Sequence, residues 1–301
     1  MKPGMCMRWI TGKLAISSLA ALGLLGLGLP PSHAQPGGDG HENNISAQRA
    51  ITLTPHITEL VFAAGAGDKI AATVTSSNYP SAALDIPRIG DGLNINVEKA
   101  LAMRPDLVVA WQASTAALTL APMLTRLGIP LIYSAPRTLQ DIPAEIIRFG
   151  KIFNTSNIAD PAAAALSSRL HDLAKHYSHK PPVSVFIEVG TAPLYTIGND
   201  PLLNDALRAC GGVNIYAGAA IAAPQVSAES VLVARPDVVI TSATDRARLA
   251  EAQQRWSGLH LAAALQGHVY GIDPDQLFRP GPRMVDAAES LCRYLDAARQ
   301  R

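Results

Sequence analysis

Few residues in this chain are equipped for chemistry, and most of those follow the end of an apolar run. Tyr79 in "SNYPS" and Trp111 in "VVAWQAS" belong to a scarce class, since Phe, Trp and Tyr make up only 5% of the chain. An aromatic ring at the rim of a cleft can lie flat against a broad ligand while its polar group takes a hydrogen bond, so both are candidates for stacking. His56 in "TLTPHITE" places an imidazole at another such turn facing the cleft, a candidate ligand contact with a polar turn residue as the alternative. In the second half, Tyr195 and the stretch Asp275, Gln276, Leu277, Phe278 and Arg279 hold comparable positions. For each aromatic the plain alternative is packing against its own loop.

Catalytic constellations are missing. The sequence contains no Gly-x-Ser-x-Gly, no His-Glu-x-x-His and no Gly-x-x-x-x-Gly-Lys, and the glycines of "GAG" at 65–67 lack dinucleotide spacing. These observations favour a binding protein over an enzyme, with no catalytic residue, cofactor or resident metal. His171, His176 and His179 fall in one helical stretch, but only the 176/179 pair could share a face. A solvated surface is therefore expected there in preference to a zinc site.

The first residues carry an export pattern. Lys2, Arg8 and Lys13 precede the apolar run "LAISSLAALGLLGLGL", and "SHA" supplies a small-x-small cleavage site ending at Ala34. Removing residues 1–34 takes three positive charges and no acid, which moves the formal charge from +1 to −2 and argues against nucleic acid as a partner. It also removes Cys6 and leaves Cys210 and Cys292 as a pair. An exported protein meets an oxidising compartment, so a disulfide is expected, with two buried thiols as the alternative.

Alternation of short apolar runs with helical stretches predicts two α/β units with parallel sheets. "RAITL", "IAATV", "DLVVAW" and "IPLIYSA" read as strands of the first unit; "VSVFIEVG", "DVVITS" and "HVYGID" read as strands of the second. Between them Asp160 is a plausible N-cap, and residues 161–179 run about 19 positions without a breaker, a helix of roughly 28 Å. The expected organisation is a signal peptide at 1–34, a leader at 35–48, a first lobe at 49–159, a bridging helix at 160–179 and a second lobe at 180–301. Two Rossmann-like lobes on a single long helix leave a ligand cleft at the carboxyl ends of the strands.

One phrase occurs twice. "VEKALAMRPDLVVAW" and "AESVLVARPDVVIT" each place a glutamate, Glu98 and Glu229, six positions before an Arg-Pro-Asp. A proline that ends a helix before the next strand accounts for the Arg-Pro-Asp. It does not account for the matching glutamates.

Together with "RAITLTPHITELVFAAG", "NYP", "CGGVNIY" and "FRPGPRMVDAAESLC", this phrase resembles the periplasmic cobalamin-binding proteins of ABC importers, a family of helical-backbone substrate-binding proteins. The similarity runs from residue 49 to about 297. It implies a flat corrinoid held between two lobes, with Tyr79 and Trp111 as cleft aromatics and Asp275 to Arg279 as a ligand-contacting loop. The resemblance also implies a disulfide between Cys210 and Cys292. Glu98 and Glu229 would dock on arginines of a dimeric inner-membrane permease, and the protein would act as a monomer. Where the family carries further tryptophans this chain has Asp91, Ala223 and Gln276, so its aromatic cage is expected to be thinner. Relatives carry haem or ferric siderophores, for which Arg88, Arg137 and Arg279 are the candidate cations; a secreted metal-dependent hydrolase is the remaining alternative.

Overall fold

A computed structural model describes residues 45–243 and 245–300. The expected signal peptide and most of the expected leader lie outside the described residues. The first sheet has the order β2-β1-β3-β4 and is parallel throughout, from β1 (Ala50–Thr52), β2 (Ile70–Ala72), β3 (Leu107–Ala110) and β4 (Leu131–Tyr133). Helices α1 (Pro55–Ala63), α2 (Val97–Ala102), α3 (Thr115–Leu127) and α4 (Asp141–Phe153) complete this lobe. Helix α4 was not anticipated: Pro143 in its first turn reads as a breaker, yet proline is tolerated there because the N–H it lacks would have had no partner in the helix.

Helix α5 (Ser156–Tyr177) connects the lobes. It starts ahead of the expected Asp160, so Pro161 lies in its opening turns and not at its first position. Gly150 of α4 makes the close approach of the two helices possible, because a Cβ there would meet the Ala159 Cβ at 2.3 Å. The connection is therefore a packed helix pair.

The second sheet contains β5 (Val183–Thr191), β6 (Leu194–Thr196), β7 (Gly212–Asn214), β8 (Val238–Ser242) and β9 (Val269–Ile272), in the order β6-β5-β8-β9 with β7 also on β5. Among the described residues of this sheet, only β6 runs antiparallel to its neighbour. Its helices are α6 (Pro201–Ala209), α7 (Ala228–Ala234), α8 (Arg246–Gly258), α9 (Ala262–Leu265), α10 (Pro274–Leu277) and α11 (Arg283–Arg299).

Strand alternation sorts the core into layers. Leu107 and Val109 of β3, with Val185 and Ile187 of β5, join one continuous apolar cluster that also takes in α1, α4, α5, α6 and α11. Val108 and Ala110 turn to an outer cluster with Leu120 and Leu124 of α3, and Phe186 turns to another with Trp256 of α8. Because the principal core runs beneath both sheets, moving one lobe against the other would expose apolar surface. Cys210 at the end of α6 is bonded to Cys292 in α11, as expected.

The repeated phrase now has a structural account. Arg104 and Arg235 both adopt left-handed backbone, with φ of 50° and 49°, where their helices end. The following aspartates tie each junction to the first strand of its lobe: Asp106 accepts from the backbone N–H of Gln48 and Arg49 at 2.8 and 2.9 Å, and Asp237 accepts from the Ser184 N–H and hydroxyl at 2.8 and 2.6 Å. Arg-Pro-Asp is thus a lobe-building device used twice.

Candidate functional site

The turn after β1 delivers His56 to the first turn of α1, but inward. Its ring is 3% exposed, with Nε2 at 3.4 Å from the Ser134 carbonyl, and it meets the Trp111 ring edge-on at 5.8 Å and 83°. A carbonyl only accepts, so Nε2 carries the proton. Burial lowers the His56 pKa to about 4, opposed by the hydrogen bond to Ser134 and reinforced by the charge of Arg279. The structure thus places His56 as a buried imidazole behind Trp111, with Nε2 at the Ser134 carbonyl.

That burial makes a pH prediction. A histidine whose folded pKa lies below its unfolded value, 6.5, favours the native state above that value, and the contribution is lost as pH falls towards 4. A 2.5-unit difference corresponds to about 3 kcal/mol. Urea unfolding at pH 7, 5.5 and 4 should show the wild type losing about that much more stability than His56→Gln; parallel curves for the two proteins would contradict the buried neutral ring.

Trp111 follows β3 and is 43% exposed; Tyr79 follows β2 and is 46% exposed. The turn bearing Tyr79 is pinned from behind. The Ser77 hydroxyl joins a buried cluster with those of Thr58 and Thr73 at 3.0 and 2.8 Å, and the Ser77 carbonyl accepts from Arg88 at 2.8 Å. Arg88 also donates to the carbonyls of Ala83 and Ile86. Its guanidinium serves this turn, which removes it from the candidate cations for an anionic ligand.

Facing these residues is the segment from α10 to the start of α11. Arg279 pairs with Asp275 at 2.5 Å and donates to the Asn78 side-chain oxygen at 2.7 Å, while the Asn78 amide donates to Asp275 at 3.0 Å. Arg283 binds the Glu59 carboxylate through two hydrogen bonds of 3.0 and 2.7 Å, and its guanidinium carbon lies 4.3 Å from the Tyr79 ring centroid. Burial raises the pKa of Glu59, with the two arginines opposing it, and the same pairing raises that of Arg283.

Between these walls, at the carboxyl ends of both sheets, lies a cavity of about 580 Å³ whose lining includes Trp111, Arg137, Ile197, Leu203, Phe278 and Pro280. Trp111, Leu277 and Phe278 are brought together there, although Leu277 is fully buried and contributes only from beneath. Tyr79, Asp275 and Arg279 adjoin this region through the polar network, and Gln276 is partly buried on α10. Tyr195 is not in the cavity wall. It is 38% exposed on β6, paired through its backbone with Gly190 and Gln225.

Asp91 organises its own loop by accepting from the N–H groups of Leu93 and Asn94 at 2.8 and 2.7 Å, which holds its carboxyl below the usual range. A larger groove of about 820 Å³ runs along α5 and α11 and is lined by Arg169, Lys180 and Glu289 among others, together with His176 and His179. Among the described residues no three His, Cys, Asp or Glu stand close enough to hold a metal.

Arg137, a candidate cation from the sequence, lines the cavity, whereas sequence reasoning missed Glu59 and Arg283. Glu59 had a usable signal, a single carboxylate at the end of "HITE" directly before the apolar run "LVFAAGA". Glu98 and Glu229 are both exposed and sit at equivalent places, two residues after the N-caps Asn96 and Ser227, whose side chains accept from Lys99 and Ser230 N–H at 2.8 and 3.2 Å.

Residues 51–276 match the family model described as periplasmic binding protein. The vitamin B12-binding protein of Vibrio cholerae serotype O1 is 35% identical over 254 residues, covering 84% of this chain and 91% of that protein. The protein of the same name from Yersinia pestis is 32% identical over 250 residues, covering 83% and 87%. Among solved structures, the periplasmic vitamin B12-binding protein of Vibrio cholerae superimposes with a TM-score of 0.78 at 35% identity, over 85% of this chain and all of that one. The apo periplasmic haem-binding protein from Roseiflexus sp. RS-1 gives 0.69 at 26% identity, over 84% of this chain and all of that one.

Proposed function

The chain belongs to the periplasmic binding protein family, and from that premise we propose that it captures cobalamin or a closely related corrinoid between its lobes and delivers it to the dimeric permease of an ABC importer. The observation that carries this reading is the cavity between the lobes, walled by Trp111 from the first and Phe278 from the second, in a chain whose relatives are named vitamin B12-binding proteins. At about 580 Å³ it lies within the range of about 300–1,000 Å³ common for small-molecule sites. Capture and release break no covalent bond, so the protein acts as a receptor and not as an enzyme. Export to the periplasm would use residues 1–34 as a cleaved signal, and the mature protein would work as a monomer.

A haem or siderophore reading meets less support in the side chains. His56 is committed to Ser134, Arg88 to backbone carbonyls and Arg279 to Asp275 and Asn78, which leaves Arg137 as the arginine in the cavity lining. Titration of the purified protein with cyanocobalamin, haem and a ferric siderophore, followed by visible spectra and calorimetry, decides between them. Saturable binding of cyanocobalamin is expected; binding of haem alone would replace the corrinoid with haem.

Stacking makes a graded prediction. One aromatic contact contributes about 1 kcal/mol beyond burial, or roughly fivefold in affinity. Tyr79→Ala and Trp111→Ala should each weaken cyanocobalamin binding by about that factor in calorimetry. Unchanged affinity in both would remove these rings from the site.

A further inference from the structure

We propose that Glu59 is a positioning residue that sets the Tyr79 ring and the Asp275–Arg279 segment in the cleft by anchoring Arg283 and Arg279 from the opposite lobe. The carboxylate is on α1 in the first lobe and its side chain is 1% exposed. Arg283 meets it with two hydrogen bonds, and Arg279 approaches it at 3.7 Å. A bidentate contact fixes both the place and the plane of a guanidinium. The Arg283 plane matters because its carbon lies 4.3 Å from the Tyr79 centroid, within cation–π reach. One face of Tyr79 is thereby occupied by protein, leaving the other for a ligand.

The second arm works through Arg279. It is bound at once to Glu59, to Asp275 and to the Asn78 side chain, so the residue before Tyr79 is tied to the far lobe as well. The chain returns to α1 along a close path: a Cβ at Gly281 would lie 3.4 Å from Glu59 Oε2 and 3.6 Å from the His56 Cα. His56 and Glu59 stand three residues apart on α1. One turn of one helix therefore backs both cleft aromatics, Trp111 directly and Tyr79 through Arg283.

The affinity consequence rests on the corrinoid reading; the positioning itself does not, and the test separates them. Hydrogen–deuterium exchange of the ligand-free protein compares wild type with Glu59→Gln, which keeps size but loses the charge. Faster exchange confined to the peptides around 77–79 and 275–281 is expected, and unchanged exchange there would overturn the proposal. In calorimetry with cyanocobalamin, Glu59→Gln should weaken binding about fivefold, and Tyr79→Ala should weaken it by a similar factor. The two together should cost little more than either alone, because both remove the same ring contact. Independent effects, about 25-fold in the double variant, would reduce Glu59 to a stability role.

Should Glu59→Gln fold poorly, Glu59→Leu/Arg283→Leu replaces the buried pair with apolar side chains, a change that often preserves stability. A stable protein with weakened binding supports positioning, and wild-type binding by that variant would sink it. If the wild type fails to bind cyanocobalamin, the functional reading falls and the exchange experiment alone decides the role of Glu59.

Discussion

Cys210→Ala/Cys292→Ala protein is expected to unfold with about 4 to 5 kcal/mol less stability than the wild type, the largest energetic effect of any change considered. The bridge joins residues 82 apart in sequence, and restricting a loop of that length lowers the entropy of the unfolded chain by roughly this amount. In a domain of this size about 1 kcal/mol shifts the melting temperature by roughly 2–4 °C, so a fall of about 8–20 °C should be seen. Because the effect resides in the unfolded chain, the urea m-value should rise as the freed chain expands. The bridge also joins the end of α6 to α11, the helix that begins with Arg283 and carries Met284 at the cavity. Ligand affinity measured well below the melting transition should nevertheless be nearly unchanged, since the native contacts of α11 include a large buried face with Val285, Ala288, Leu291 and Leu295. Equal melting temperatures with and without the bridge would show that the native state stores as much strain as the unfolded chain loses in entropy.

The sequence was most informative where function and local pattern coincide. Strand ends could be read from "DLVVAW" and "DVVITS" because a fully buried parallel strand is a short unbroken apolar run, and the residues that follow such runs must face the cleft. Trp111 was legible for that reason. Tyr195 shared the same signal but belongs to the antiparallel β6 and is not among the residues lining the cavity. His56 was legible as a turn residue and not as a buried one, since its burial depends on Trp111 and Ser134, distant in sequence.

Long-range pairing explains the other omissions. Glu59 and Arg283 are 224 residues apart, and nothing local reports which carboxylate meets which guanidinium. The start of α5 was misplaced because Asp160-Pro161 is a good helix opening in isolation; packing of α4 on α5, with Gly150 against Ala159, carries the helix further toward the N-terminus. The Arg-Pro-Asp repeat shows the opposite case. Its arginine conformation is the same in both lobes and each aspartate accepts a backbone N–H at the start of its lobe's first strand, so the local pattern and the tertiary role agree.

What that architecture leaves unexplained is the glutamate ahead of it. If Glu98 and Glu229 dock on a two-fold permease, Glu98→Lys/Glu229→Lys should abolish uptake of radiolabelled cobalamin while leaving affinity for the free ligand nearly unchanged. Both side chains are exposed in the first turn of short helices whose N-caps are already supplied by Asn96 and Ser227. Neither glutamate is therefore needed as a cap. A favourable placement near the helix N-terminus contributes about 0.3–1 kcal/mol to stability and nothing to transport. Docking makes a different demand, because a dimeric permease offers the same basic pocket twice and two lobes of similar build can each present one acid to it. Reversing both charges sets cation against cation at two sites, a repulsion of several kcal/mol that suppresses the complex without touching the cleft. Each single reversal should leave partial uptake, since one acid still engages. Restoring charge complementarity by a lysine-to-glutamate or arginine-to-glutamate change in the permease pocket should recover part of the transport. Wild-type uptake by the folded, exported double variant would assign these glutamates to the helix dipole alone.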